Sequence, residues 1–92
     1  MDITVRNRLR DIFNKHDVAG IYFDKETNYD EYDPEINQLI FVLNKINNLS
    51  QMQTALLKIF ENMFWKGFVK KKYSDNLAKE LYGLLREDYI AR

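Results

Sequence analysis

Apolar residues recur every three or four positions in four segments of this 92-residue chain, and this spacing constrains the fold more than any other feature. The period is that of an α-helix with one apolar face. In the first segment, about residues 3 to 15, the apolar stripe consists of Val5, Leu9, Ile12 and Phe13. No strand pattern of comparable length competes. The sequence therefore predicts an all-α fold, a compact four-helix domain comprising residues 1–92, with a long acidic connection between helices 1 and 2.

The second helix has the clearest predicted start. Asp33 is expected to be its N-cap, because Pro34 suits the first helical position and Glu35 complements the helix dipole. The residues predicted to face the core from this helix are Ile36, Leu39, Ile40, Leu43 and Ile46.

The third and fourth helices are predicted to begin at serine caps. Ser50 and Gln53 have the spacing of a capping box, and Ser74 precedes the last apolar stripe. Gly67 is expected to end the third helix in a left-handed conformation. The core predicted across all four helices contains Leu9, Ile12, Ile40, Leu43, Leu56, Ile59, Phe60, Leu81 and Leu84.

Residues 17–35, called the acidic connection below, carry seven carboxylates against one lysine and have a net charge of −6 in a chain of zero net charge. Such a patch attracts a protein partner with a basic surface and repels nucleic acid, so direct nucleic-acid binding is disfavoured. Tyrosines beside the carboxylates are good anchors for a protein interface. The residues predicted to bind the partner are Asp24, Glu26, Tyr29, Asp30, Glu31 and Tyr32.

Composition excludes several other classes of protein. The chain has no cysteine, which removes disulfides, thiolate catalysis and zinc sites with sulfur ligands. The first ten residues lack the apolar core of a signal peptide, and no apolar run approaches the roughly 20 residues that span a bilayer. We therefore expect a soluble, cytoplasmic protein that does not bind membranes.

Metal binding and catalysis are both disfavoured. Asp24, Glu26, Asn28, Asp30 and Glu35 imitate the spacing of an EF-hand calcium loop, but the position that needs glycine is a tyrosine. The single histidine lies where it is expected to interact with the C-terminal end of the first helix. Nucleophile elbows, phosphate-binding glycine loops and His-rich metal spacings are absent from the sequence. No enzyme activity, cofactor or metal is predicted.

Two further features have alternative interpretations. Lys70, Lys71 and Lys72 are too few to hold a protein on phosphate or lipid alone, so a solvated turn is favoured. Phe60 and Phe64 are predicted to be core residues from their helical spacing. Trp65 lies off that stripe and either packs under the acidic connection or marks a contact surface.

The sequence resembles the YugE-like family of small bacterial all-helical proteins, whose function is uncharacterised. The resemblance covers about residues 12 to 68 and departs at Val18, where the family favours proline. It implies a helical fold in which the acidic run enters the second helix. The residues that carry it are Asp17-x-x-Gly20-Ile21, then Asp30-Glu31-Tyr32-Asp33-Pro34-Glu35-Ile36, then Ser50, Ile59-Phe60 and Phe64.

Two functions fit this pattern. A small cysteine-free domain with an acidic patch suits an immunity protein that neutralises a bacterial nuclease toxin, because carboxylates can occlude a basic active-site groove. Alternatively, the chain is a housekeeping scaffold or interaction protein in which the acidic run only caps the second helix and the tyrosines cover the gap between helices 1 and 2.

Overall fold

The computed structural model describes residues 3–20 and 29–86, and these residues form four α-helices and no strand. A 3-10 turn at Leu43–Lys45 follows the second helix directly. The all-α, four-helix prediction is confirmed. The helices are α1 (Ile3–His16), α2 (Asp33–Val42), α3 (Leu49–Met63) and α4 (Lys71–Arg86).

The apolar stripes of all four helices meet in one core. Phe60 of α3 is buried and its ring lies 6.4 Å from the ring of Phe13 of α1, measured between centroids. Helix α3 packs most extensively against α4, and α1 packs against both α2 and α4. Of the nine predicted core residues, Ile40 is only partly buried, and the other eight are buried.

Charged groups join the C-terminal end of α1 to α4. Glu80 accepts hydrogen bonds from Lys15 at 2.8 Å and lies 2.9 Å from the His16 ring. The hydrogen bond from Lys15 is the largest cause that lowers the pKa of Glu80 below its usual value, and the contact with His16 lowers it further. His16 thus ends α1, as predicted, and contacts a carboxylate of another helix there.

The predicted start of α2 is wrong by one residue. Tyr32 precedes the helix and makes no side-chain capping bond, while Asp33 is the first helical residue. The Asp33 carboxylate points to α1, where it accepts two hydrogen bonds from Arg10. A carboxylate held by a guanidinium on another helix does not fold back onto its own backbone amides, so Asp33 is not an N-cap.

The predicted capping box of α3 is also wrong in position, although its chemistry occurs two residues earlier. Asn48 is the N-cap and its side chain accepts from the Gln51 amide at 2.8 Å. The Gln51 side chain in turn accepts from the Asn47 amide at 2.6 Å. Ser50 is therefore already helical, because the preceding asparagine supplies the cap.

Helix α4 starts before the predicted cap. It begins at Lys71, so Ser74 lies inside the first turn, where it is buried and its amide donates to the Lys70 carbonyl at 3.2 Å. Gly67 has the expected positive φ of 87°, but α3 has already ended at Met63. Gly67 instead allows a tight turn between the two helices.

Candidate functional site

The acidic connection is largely built into the fold where it is described. Of the six predicted partner-binding residues, Asp24 and Glu26 lie outside the described residues. Asp30 and Glu31 are exposed, Tyr29 is half-buried and Tyr32 is buried. The structure therefore divides a group that the sequence treated as one surface.

Tyr32 is a core residue, so its side chain offers no exposed surface for the predicted partner contact. Its side chain is 0% exposed and its ring centroid lies 5.9 Å from that of Phe13. Its hydroxyl donates to Asp17 at 2.6 Å and accepts from the Ala19 amide at 3.1 Å. Tyr32 thus joins the start of the acidic connection to its end and has no surface left for a partner.

Tyr29 lies against α1. Its hydroxyl lies 2.9 Å from an Asp11 carboxylate oxygen and 3.2 Å from the Asn7 carbonyl. Its own carbonyl accepts from the Asn14 side chain at 2.8 Å, and the Arg10 guanidinium carbon lies 5.6 Å from its ring centroid. These contacts fit the interpretation in which the tyrosines cover the gap between helices 1 and 2.

The remaining carboxylates at the start of α2 are in contrasting environments. The hydrogen bonds from Arg10, 2.9 Å from Nε and 2.6 Å from Nη2, lower the pKa of Asp33 and raise that of Arg10. Glu35 is buried, and burial raises the pKa of its carboxyl. Among the described residues of the acidic connection, only Asp30 and Glu31 present exposed carboxylates.

Replacing Asp33 with alanine should lower the free energy of unfolding by about 1 to 3 kcal/mol, because Arg10 loses a charged two-point partner. The matched change Glu31→Ala removes an exposed carboxylate two residues away and should change stability by less than about 0.5 kcal/mol. Urea denaturation at neutral pH compares the two variants.

The same pair predicts a pH dependence. Because the folded-state pKa of Asp33 is lowered, its stabilisation is fully present above the ordinary aspartate pKa and is lost as the pH falls through the folded-state pKa. The stability difference between the wild-type chain and the Asp33→Ala variant should therefore shrink in acid. An equal difference at pH values above and below that window would contradict the role of the ion pair.

A wide groove lies between α2 and α3 in the described part of the chain. Its volume is about 710 Å³. Ile46 and Ile59 are buried at its base, and Phe41 is 81% exposed at its edge. The residues that line it are Asn37, Gln38, Phe41, Val42, Lys45, Ile46, Ser50, Gln51, Thr54, Ala55, Lys58, Ile59 and Asn62.

The charge of this groove has one sign. Lys45 and Lys58 line it, and none of the other described lining residues carries a charge. The polar lining otherwise consists of amides and hydroxyls, which both donate and accept hydrogen bonds. An apolar base with neutral hydrogen-bonding groups and two lysines suits an amphipathic ligand with negative charge.

The sequence analysis missed this groove, although a signal is present. Leu39, Ile40, Phe41, Val42 and Leu43 form five consecutive apolar residues. A helix has 3.6 residues per turn, so five consecutive side chains point all around the axis and cannot all reach one core. At least one apolar side chain of this run must lie outside the core, and in the structure the most exposed of them is Phe41.

Other site chemistry is not assembled in the described ranges. Within residues 3–20 and 29–86, no group of three or more His, Asp and Glu side chains is arranged to hold a metal ion. Among these helices, none is both long and apolar enough to cross a bilayer. Of the EF-hand-like set, Asp30 is exposed and Glu35 is buried in α2, while the other three positions lie outside the described residues.

Comparisons with models of protein families, with curated proteins and with solved structures find no match to this chain.

Proposed function

We propose that this chain is a non-catalytic protein-binding domain that docks an amphipathic helix of a partner in the groove between α2 and α3. The observation that carries the proposal is Phe41, a large aromatic side chain that is 81% exposed beside an apolar groove. Exposed apolar surface next to a concave apolar base is characteristic of interaction sites.

The shape of the groove favours a helix over a small ligand. Its volume of about 710 Å³ lies within the range of small-molecule sites, but such sites enclose most of their ligand. Here two helices form the walls and Phe41 stands in solvent at the edge. Grooves of this kind accept an amphipathic helix through apolar side chains at positions i, i+3, i+4 and i+7.

The lysines define the chemistry of the partner helix. Lys45 and Lys58 line the groove, so carboxylates flanking the apolar stripe of the partner would meet opposite charge. Such complementarity raises association rates and disfavours basic partners at this site. We therefore assign the groove to an acidic amphipathic helix.

A displayed library of helical peptides tests the proposal. Selection on the wild-type chain should enrich peptides with an apolar stripe and acidic flanks, and these peptides should bind Phe41→Glu at least about 10-fold more weakly, because that change puts a carboxylate beside the groove. The control Ile3→Glu makes the same substitution at an exposed apolar residue of α1 and should bind as the wild-type chain does.

Circular dichroism of both variants checks that the helices are intact. Enriched peptides that bind Phe41→Glu and the wild-type chain equally, or a selection that yields no acidic amphipathic sequence, would overturn the groove as the binding site.

The immunity function is a second candidate, and the exposed carboxylates of Asp30 and Glu31 support it. In this hypothesis the acidic connection binds the basic surface of a bacterial nuclease toxin. The buried Tyr32, the paired Asp33 and the buried Glu35 support the alternative, a scaffold in which much of the acidic run is structural. The resemblance to YugE-like proteins favours neither function.

Neutralising four carboxylates separates these alternatives. The combined change Asp24→Asn, Glu26→Gln, Asp30→Asn and Glu31→Gln should keep the fold and weaken toxin binding by about 2 to 5 kcal/mol if the carboxylates are desolvated against lysine or arginine. A cognate toxin that the variant still neutralises fully would exclude these carboxylates as the toxin-binding surface and favour a structural role for the acidic run.

A further inference from the structure

The loop between α3 and α4 exposes aromatic side chains at its two ends. Trp65 is 61% exposed and Tyr73, at the start of α4, is 48% exposed. We call residues 64–73, which comprise this connection and the first three residues of α4, the basic aromatic loop. The sequence allowed two roles for Trp65, packing under the acidic connection or marking a contact surface. Its exposure shows that it lies on the surface.

Three rings in this loop form one cluster. The centroid of Phe68 lies 4.9 Å from that of Phe64 and 4.2 Å from that of Trp65. The Phe68 amide donates to the Trp65 carbonyl at 3.1 Å, and Gly67 has a φ of 87° in the same turn. The turn and the contact with Phe68 therefore fix the orientation of the Trp65 ring, which remains exposed to solvent.

Four lysines accompany the aromatic cluster. Lys66, Lys70, Lys71 and Lys72 are all exposed, and the loop sequence contains no aspartate or glutamate. Lys71 pairs with Asp75 at 2.7 Å, and the Lys72 ammonium lies 6.0 Å from the Tyr73 ring centroid. The loop thus combines positive charge with an amphipathic indole on one short segment.

We propose that the basic aromatic loop is a binding site for a lipid surface that carries anionic headgroups. Lysine clusters are attracted to the negative potential of such a surface, and tryptophan prefers the boundary between headgroups and acyl chains. The lysines alone would be weak, at about 5-fold in affinity for each residue near the surface. Trp65 supplies the second, apolar signal that peripheral binding needs.

The arrangement of the rings favours lipid over single-stranded nucleic acid. Proteins that bind single strands stack successive bases on separate aromatic faces. Here Phe68 stacks on Phe64 and is tilted against Trp65. Of the three rings in the cluster only Trp65 is exposed, so the cluster offers no series of separate faces for successive bases. The loop also has no arginine, the side chain that grips phosphate with two parallel hydrogen bonds.

Trp65 is the single tryptophan of the chain, so its fluorescence reports on this loop alone. Titration with phosphatidylcholine vesicles that contain about 30% phosphatidylserine should shift its emission to shorter wavelength, and pure phosphatidylcholine should not. About 0.5 M salt should reverse most of the shift, because it screens the attraction between lysine and lipid.

Three lysine variants test the charge requirement. Lys66→Gln should reduce vesicle affinity by about 5-fold, and the triple change Lys66→Gln, Lys70→Gln and Lys72→Gln by about 100-fold. Lys79→Gln removes an exposed lysine of α4 outside the loop and should change affinity by less than about 2-fold, since its charge is not beside Trp65.

Three results would overturn the proposal. The first is an emission maximum that does not move with anionic vesicles. The second is equal binding by the triple variant and the wild-type chain. The third is tighter binding to a single-stranded oligonucleotide than to the vesicles, which would assign the loop to nucleic acid. The site is separate from the α2–α3 groove, so Phe41→Glu should leave the vesicle titration unchanged.

Discussion

Replacing Phe60 with alanine should lower the free energy of unfolding by about 3 to 5 kcal/mol. Phe60 is 1% exposed and contacts the α1 aromatic Phe13 within the core shared by all four helices. Removing its ring loses the transfer free energy of a large apolar group and leaves a cavity that the surrounding helices cannot fill completely. Urea denaturation followed by circular dichroism measures the change.

Phe41→Ala is the matched control for this prediction. It deletes the same ring from an exposed position and should change stability by less than about 0.5 kcal/mol. Equal losses in the two variants would mean that Phe60 does not lie in a close-packed core.

The helices could be predicted because the apolar period carries the information locally. In α1, Leu9, Ile12 and Phe13 fall on one helical face, and all three are buried. A stripe of this kind has to meet another apolar surface whatever the rest of the chain does. The architecture therefore follows from spacing, even where the individual caps do not.

The caps could not be predicted because several side chains compete for each helix start. Asp33 is a good N-cap residue, yet Arg10 of α1 binds its carboxylate at 2.6 Å. That contact joins residues 23 positions apart and is invisible to local sequence rules. At α3 the competition is between Asn48 and Ser50, which are about equal in capping preference, and the asparagine is the cap.

The structure divides the acidic connection into buried and exposed residues, and of the buried or paired ones only Tyr32 could have been identified from the sequence. This residue lies four positions before Ile36 and seven before Leu39, so it extends the apolar stripe of α2 by one turn in the N-terminal direction. The surrounding carboxylates obscured this period. Asp33 and Glu35 give no comparable signal, because charged residues are usually solvated. The Arg10 partner of Asp33 and the burial of Glu35 both arise from tertiary packing.

The largest effect expected in the acidic connection is at Tyr32. Tyr32→Ala should cost about 3 to 5 kcal/mol, since a fully buried aromatic ring is removed. Tyr32→Phe keeps the ring and removes the hydroxyl, which leaves the Asp17 carboxylate and the Ala19 amide without that partner. This smaller change should cost about 1 to 3 kcal/mol.

Tyr73→Phe is the control for Tyr32→Phe, because it removes a hydroxyl from a tyrosine that is about half exposed, and its stability should match the wild-type chain within about 0.5 kcal/mol. Denaturation midpoints of the three tyrosine variants decide between two roles for Tyr32. If Tyr32 is a core residue, Tyr32→Ala should lower the denaturation midpoint more than Tyr32→Phe does, whether or not a partner is present. If Tyr32→Ala unfolded at the wild-type midpoint, the ring would contribute nothing to the stability of the core, and a contact between Tyr32 and a partner would become the favoured role.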